Sequence, residues 1–539
     1  MIALVILALV AADPVLVDIA RAAGITFTPY LGATGEVRLP ETMAGGGGFV
    51  DYDGDGALDV LLVNGCSWPP SPSDPTMKLY RNLGGLRFRD VTASARLTDV
   101  TRGMGFAAAD YDNDGDQDLL ITGVGTNLFY RNDGHGAFVE SAAGAGVGQG
   151  HWSTAAAFFD YDRDGFLDLV IGDYVLWRAS YETRGRCEHD GVRDYCPVSL
   201  FPADHPLLHH NDGKGGLQDV TAAAGLDAAV SKTLGIAIVD VDDDGWLDVF
   251  LANDSVPNQL YRNQADGTFR DAAPALWLAR SATGGCHAGM GCDVTYEADG
   301  APAIAVGNFT REPVTMQVRT HGGTFADRSA ALQLQAPTLA PLTFGLVFLD
   351  YDLDGWQDLF LANGHVGRSE EAVGIPYRQQ PQLFRRRPEC FEPVAAQPGS
   401  VLSDRLVGRG CACGDVDGDG DLDVLVIDNR GPVRLGENRA PRLGAFLRVA
   451  CRGTASNHDG IGALVSVEAA GRVQRDRVAS ASSYLSQSER VLTFGLGDVK
   501  LAEVVMIAWP SGRLDTYRDV RANTTLHAVE GGSDGRSAR

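Results

Sequence analysis

The sequence predicts an all-β protein: a seven-bladed β-propeller followed by a small C-terminal β domain. Three observations predict it. A nine-residue loop, D-x-D-x-D-G-x-x-D, occurs six times. Each copy sits between short apolar runs of strand length, and the copies belong to a longer unit of about 40–60 residues, the span of a four-stranded blade. Beyond about residue 440 the loops stop and a different alternation of apolar and polar residues begins.

The loops come first because they carry the chemistry. Their carboxylates are Asp51, Asp53, Asp55 and Asp59; Asp110, Asp112, Asp114 and Asp118; Asp160, Asp162, Asp164 and Asp168; Asp240, Asp242, Asp244 and Asp248; Asp350, Asp352, Asp354 and Asp358; and Asp415, Asp417, Asp419 and Asp423. Four carboxylates at positions 1, 3, 5 and 9 repel one another unless a cation lies among them. An all-oxygen donor set suits a hard divalent ion, so about six Ca2+ are expected. The glycine at position 6 lets the chain reverse so that the carboxylates point inward. The same opening begins an EF-hand loop, but an EF-hand needs glutamate at position 12 and flanking helices. Position 12 here is Leu62, Ile121, Ile171, Leu251, Leu361 or Val426. The flanks, such as Leu346–Leu349 and Leu359–Leu361, read as buried strands. Each loop is therefore a turn between two strands.

The rest of the unit follows each loop. Leu79-Tyr80-Arg81-Asn82, a glycine turn and Phe88-Arg89-Asp90 supply two more strands, and Leu260-Tyr261-Arg262-Asn263 with Phe269-Arg270-Asp271 repeats them. A degenerate seventh unit fits between the fourth and fifth loops. Gly289-Met290-Gly291 resembles Gly103-Met104-Gly105, and Asp299-Gly300 stands where the loop should turn, with too few carboxylates for a metal. The last unit lacks its fourth strand after Val433-Arg434-Leu435, and residues near 14–20 match that missing strand. Pairing the two would close the ring and hide an open sheet edge.

The formal net charge of −25 over 539 residues is largely this site chemistry, since the loops hold 24 of the 70 acidic residues. An acidic chain with no long basic run excludes nucleic-acid binding as a leading function. Residues 1–12, MIALVILALVAA, read as a signal peptide and are too short to span a bilayer, so a secreted, periplasmic or extracellular protein with no stable membrane span is expected. Nine cysteines suit an oxidising compartment. Cys187–Cys196 and Cys286–Cys292 are candidate disulfides, whereas Cys411 and Cys413 alternate along one strand and are poorly placed to bond each other. No C-x-x-C spacing supports zinc.

The segment 444–530 reads as a compact β domain. It contains Ser456-Asn457-His458-Asp459-Gly460, Ser483-Tyr484-Leu485-Ser486-Gln487-Ser488, Phe494-Gly495-Leu496-Gly497 and Trp509-Pro510-Ser511-Gly512. Together these motifs resemble the ASPIC/UnbV domain, and the aspartate units resemble FG-GAP (VCBS-type) repeats. The combination resembles the cartilage acidic protein 1 family, with further matches at Leu39–Thr42, Asn253–Asn258 and Asn363–Val366. The resemblance implies a secreted, calcium-binding, integrin-α-like propeller with an appended β domain and no settled biochemical activity. Expected boundaries are 1–12 for the signal peptide, 13–439 for the propeller, 440–530 for the C-terminal domain and 531–539 for a disordered tail.

The long insertions, 64–77, 172–206 and 363–381, all follow a second strand and so belong to the face opposite the aspartate loops. Long loops clustered on a rigid scaffold are where recognition concentrates. Glu41, His151, Asp173, Lys232, Asp254, His287 and His365 are expected near the centre of that face. Of these, His365, Glu41, Asp254 and His151 are the candidates for catalysis or a transition metal, against the plainer reading of hydrogen-bonded loop residues. No nucleophile elbow, P-loop or dinucleotide fingerprint occurs. Asn457, His458 and Asp459 fit either a site or a polar turn. The leading expectation is a monomeric binding module for a protein or glycan partner, its calcium structural. The alternative is an enzyme acting on a small molecule or polysaccharide at the opposite face.

Overall fold

The computed structural model describes residues 14–43, 45–148, 152–182, 187–189, 192–441 and 444–532. The segment read as a signal peptide, His151 and residues 533–539 of the expected tail lie outside the described residues. Among the described residues, seven four-stranded antiparallel sheets precede residue 440. The first blade is Gly47–Val50, Asp59–Leu62, Lys78–Asn82 and Phe88–Asp90, paired in that order. The innermost strands of the other blades are Gly103–Ala109, Ser153–Phe159, Thr233–Val239, Gly289–Tyr296, Thr343–Leu349 and Gly408–Gly414. Each contacts the next, and the last contacts the first, so the sheets form a ring. In the last blade the outermost strand is Val17–Asp18, which pairs with Arg434–Glu437.

The asparagine that recurs at the end of the third-strand segment has a structural cause. The asparagine amide reaches across the seam between blades: Asn82 Nδ2 donates to the Val416 carbonyl at 2.8 Å, Asn132 to Tyr52 at 2.8 Å, Asn211 to Tyr111 at 2.7 Å, Asn263 to Tyr161 at 2.8 Å and Asn438 to Tyr351 at 2.9 Å. Every acceptor is the carbonyl of the second residue of the neighbouring aspartate loop, so a buried backbone group is satisfied across the seam. Around the degenerate blade the stitch changes chemistry. Arg319 Nη1 donates to the Val241 carbonyl at 2.9 Å, and Arg386 pairs with Glu297 at 2.9 Å.

The C-terminal domain consists of the four-stranded sheet Arg472–Arg477, Leu464–Ala469, Leu501–Ala508, Leu514–Arg521 and the three-stranded sheet Leu492–Gly497, Ala445–Arg452, Thr524–Val529. It packs on the aspartate-loop face, and its core is continuous with that of the second and third blades. Its Ser480–Glu489 segment enters the middle of the ring. Ser483 exchanges backbone hydrogen bonds with Cys292 (2.9 and 3.2 Å), and Gln487 Oε1 accepts from the Ala108 N–H at 2.7 Å. Ser480 Oγ accepts from Phe158 N–H at 2.8 Å, Ser483 Oγ from Leu346 N–H at 3.1 Å and Ser488 Oγ from Cys413 N–H at 3.1 Å. A serine-rich segment thus satisfies the inner-strand backbone that a propeller channel leaves exposed. Glycines make room for it. A Cβ on Gly46 would lie 2.3 Å from the Leu485 oxygen, and one on Gly291 would lie 2.6 Å from Ser483 C and Tyr484 N.

The disulfide Cys187–Cys196 is present. Cys286 and Cys292, by contrast, are both free: Cys292 is buried between neighbouring blades, and Cys286 lies in the preceding loop with Arg280 donating to its sulfur at 3.1 Å. Among the described residues no helix is long and apolar enough to cross a membrane.

Candidate functional site: aspartate cages and an open groove

Each aspartate loop is built alike. The position-1 carboxylate accepts the N–H groups of positions 5 and 6, as Asp51 does from Asp55 at 3.1 Å and Gly56 at 3.0 Å. The position-9 carboxylate accepts the N–H of position 2 and that of the seam residue, as Asp118 does from Tyr111 at 3.3 Å and Asn132 at 2.8 Å; in the fifth loop Arg386 replaces the asparagine, donating its N–H to Asp358 at 2.6 Å. Carboxylate oxygens of Asp51, Asp53 and Asp59 converge within 4.8 Å, as do those of Asp110, Asp112 and Asp118, of Asp160, Asp162 and Asp164, and of Asp240, Asp242 and Asp248. Burial, with smaller contributions from neighbouring carboxylates, pushes Asp59 up to about 8, Asp118 to about 9 and Asp248 to about 7. The Oδ1 atoms of Asp53, Asp112 and Asp352 are buried and have no hydrogen-bond partner among the described residues. Converging hard oxygens with unsatisfied lone pairs fit a calcium ion.

The cages differ in one neighbour, from the third strand. Arg81 lies 2.8 Å from Asp53 and 2.9 Å from Asp55, Arg385 lies 2.7 Å from Asp352 and 2.9 Å from Asp354, and Arg262 contacts Asp242 and Asp244. In the third blade His210 takes that place, 3.2 Å from Asp168. In the last blade the equivalent register position is Glu437. The C-terminal domain also touches the cages, at the fifth loop through Gly497 N–H donating to the Leu353 carbonyl at 3.0 Å and at two others through charged side chains. His458 Nδ1 lies 3.0 Å from Asp110, with Asp459 accepting the Asp110 N–H at 2.8 Å, and Arg448 lies 3.0 Å from Asp415. Asn457, by contrast, folds back on Ile461. The polar Asn-His-Asp turn is therefore a docking contact.

On the opposite face lies a groove in two connected parts, of about 540 and 810 Å³, which share Asp194, Tyr195, Val366, Gly367 and Ser369. The inner part is lined by Leu39, Met43, Tyr174, Met290, Phe309 and Phe344, with Asp254, Glu312 and His365 among them. The channel segment closes it from below. Tyr484 packs edge-on against Phe344 with centroids 5.0 Å apart and donates to the Met43 carbonyl at 3.0 Å. Arg409 is fully buried beside them, stacked 3.9 Å over Phe344, and donates to the carbonyls of Thr42 (2.7 Å), Gly364 (3.1 Å) and His365 (3.3 Å).

Of the residues expected at this centre, two reach the groove. Asp254 accepts from Tyr174 OH at 2.6 Å and Ser255 Oγ at 2.8 Å, and burial holds its carboxyl above the usual range. His365 Nδ1 meets the Gly367 carbonyl at 3.0 Å, while its buried Nε2 has no partner among the described residues. Burial holds its imidazole below the ordinary value. Glu41 instead caps its own turn by accepting the Arg38 N–H at 3.2 Å. Asp173 accepts from Ser153 Oγ at 2.7 Å inside its blade, Lys232 donates to the Val198 carbonyl at 3.0 Å, and His287 faces Thr315 at 3.4 Å. Glu312, Arg409, Tyr195 and Tyr484 were not expected there. Glu312 had a signal in the sequence: like Asp254 and His365, it follows the end of a second strand, in Asn308-Phe309-Thr310-Arg311-Glu312.

The chain matches the FG-GAP-like repeat model over residues 51–121, 110–171 and 240–291 and the ASPIC and UnbV model over residues 453–535. It is 25% identical to human cartilage acidic protein 1 over 502 residues, covering 86% of this chain and 68% of that protein. The mouse cartilage acidic protein 1 is also 25% identical, over 500 residues, covering 86% of this chain and 70% of that protein. Among solved structures, an Agrocybe aegerita lectin recognising non-reducing terminal N-acetylglucosamine is similar at 16% identity and a TM-score of 0.40, covering 67% of this chain and 88% of that chain. A likeness at that score carries no functional argument. The chain is thus a homologue of cartilage acidic protein 1, built from FG-GAP-like repeats and an ASPIC and UnbV domain.

Proposed function

We propose that this protein is a calcium-stabilised binding module, exported from the cytoplasm, that recognises a glycan or protein partner through the groove opposite its aspartate loops. One observation carries the reading: the C-terminal domain covers the aspartate face and fills the ring from that side, while a groove of about 540 and 810 Å³ stays open on the other face among the long insertions. Calcium would be held by the position-1, -3, -5 and -9 aspartates, where it neutralises crowded carboxylates and fixes the turns. An oxidising compartment with abundant calcium suits both the Cys187–Cys196 disulfide and the cages.

The test is capture of ligands by the calcium-loaded chain on glycan and protein arrays, repeated with Val366→Trp, which fills the junction of the two groove parts. Capture lost in the variant at an unchanged melting temperature supports the reading; equal capture by both chains refutes it. A second reading, an enzyme in the same groove, is favoured by the partnerless Nε2 of His365 in a cavity that also holds Asp254 and Glu312. Turnover of a captured ligand, lost in His365→Gln, would favour it over the binding module.

A further inference from the structure

The groove has two electrostatic poles. Its inner part holds the carboxyl groups of Asp254 and Glu312 among apolar walls. Its outer part is lined by four arginines, Arg193, Arg368, Arg378 and Arg430, with Asp194 as the one carboxylate in the lining. In a chain of net charge −25, with 45 basic residues in 539, four arginines from three separate loops around one cavity stand against the overall field.

The ion pairs around these arginines do not cancel their charge equally. Arg378 is neutralised by buried Asp428 at 3.1 Å. Arg368 reaches Glu371 at 3.4 Å, but both side chains are exposed, 70% and 42%, so the pair is weak and screened. Arg430 has no carboxylate within ion-pair distance among the described residues; its Nη2 donates to the Tyr195 hydroxyl at 2.9 Å. That phenol does not neutralise it, because burial pushes Tyr195 up to about 12. The guanidinium of Arg368 lies 5.0 Å over the ring of Tyr377, which also lines the cavity, so the aromatic face holds the cation in place. Guanidinium groups positioned by phenols at a cavity wall present planar forks suited to an oxyanion.

We propose that the outer groove is an anion-binding subsite, centred on Arg430 and Arg368, for an organic molecule with an oxyanion head and an apolar body. The orientation follows from the poles. Asp254 and Glu312 repel an anion from the inner part, whereas Met290, Phe309 and Phe344 accept an apolar body there, so the head stays outside and the body points toward His365. This rests on the groove being the binding site, and it adds the charge and polarity of what binds.

The test uses the full chain in millimolar calcium with two fluorescent probes of similar shape: 8-anilino-1-naphthalenesulfonate, which carries an oxyanion, and uncharged N-phenyl-1-naphthylamine. Arg430→Gln with Arg368→Gln removes the charge at two exposed positions, and an unchanged calcium-loaded melting temperature verifies folding. The expected result is a dissociation constant for the sulfonate at least tenfold weaker in the double variant, with the neutral probe unaffected. Competition by 2-naphthoate, but not by 2-naphthamide, would show that a carboxylate is accepted as well as a sulfonate. Equal sulfonate affinity in the wild type and the double variant overturns the proposal, as does failure of the sulfonate to bind. If Val366→Trp displaces the neutral probe while the arginine variants change nothing, the groove still binds ligands and only its anion preference is wrong.

Discussion

Chelating calcium is expected to lower the melting temperature by about 14 °C. The magnitude follows from the number of cages and the size of the chain. A site filled at a hundredfold excess over its dissociation constant stabilises the folded state by about 2.7 kcal/mol, so six sites contribute about 16 kcal/mol. Unfolding entropy near 2.1 cal/mol/K per residue is about 1.1 kcal/mol/K for a chain of this length, which converts 16 kcal/mol into about 14 °C. The assay is scanning calorimetry at one fixed scan rate, in excess EGTA and in millimolar calcium. The pH dependence gives a second reading of the same perturbation. In the metal-free fold Asp59, Asp118 and Asp248 sit at about 8, 9 and 7, above the unfolded value near 4. Carboxyls raised on folding contribute stability that is fully present below the unfolded value and is lost as pH rises through the folded one. The chelated protein should therefore melt progressively lower from pH 5 to pH 9, while calcium keeps the carboxylates ionised and flattens the curve. Equal melting temperatures with EGTA and with calcium across that range would refute the cages as calcium sites.

Four further outcomes are expected. Arg262→Gln removes a cation from Asp242 and Asp244 and should tighten calcium at the fourth loop by about tenfold, roughly 1.4 kcal/mol, in a calorimetric titration; Glu437→Arg should weaken the last loop by a similar factor, and unchanged isotherms in both would deny the third-strand neighbour any role. Tyr484→Ala empties a fully buried aromatic site and should cost about 3–5 kcal/mol, or about 3–4 °C, whereas Tyr484→Phe loses one hydrogen bond worth about 1 kcal/mol. Gly291→Val places side-chain atoms where Ser483 and Tyr484 run, so limited proteolysis should cut the C-terminal domain free from the ring at a rate the wild type does not show. Replacing Cys187 and Cys196 with serine opens a short loop, a loss of about 2.5 kcal/mol that is local to the groove wall, and should weaken ligand capture more than it lowers the melting temperature.

Much of the ring was legible because its information is local. The position-12 residues excluded EF-hands, and Val15–Ala20 with Ala23-Gly24 matched the outermost strand Leu217–Thr221 with Ala224-Gly225 because a repeat can be read from the segment itself. The candidate site was less legible. Asp254 and His365 reach the groove, but Asp173, at the end of a second strand, and Glu41, in the turn before the first blade, are turned to partners of their own, Ser153 and Arg38. Which way a loop carboxylate turns depends on the donors other blades bring to it, and no spacing rule carries that. The Cys286–Cys292 pairing failed for a similar reason: nearness in sequence says nothing of a side chain that the strand directs between two blades.

By itself, the sequence determined the repeating blade, the carboxylate cages and the degenerate unit, since each depends on residues a few positions apart. Only the tertiary structure decided where the C-terminal domain goes. The serines of 480–488 and the glycines at 46, 105 and 291 stand far apart in the chain, and their complementarity exists only once the ring has brought the inner strands around one axis. Backbone groups exposed in the channel need partners, the serine segment supplies them, and one face is covered as a result. The same insertion supplies the floor of the groove and leaves the opposite face open.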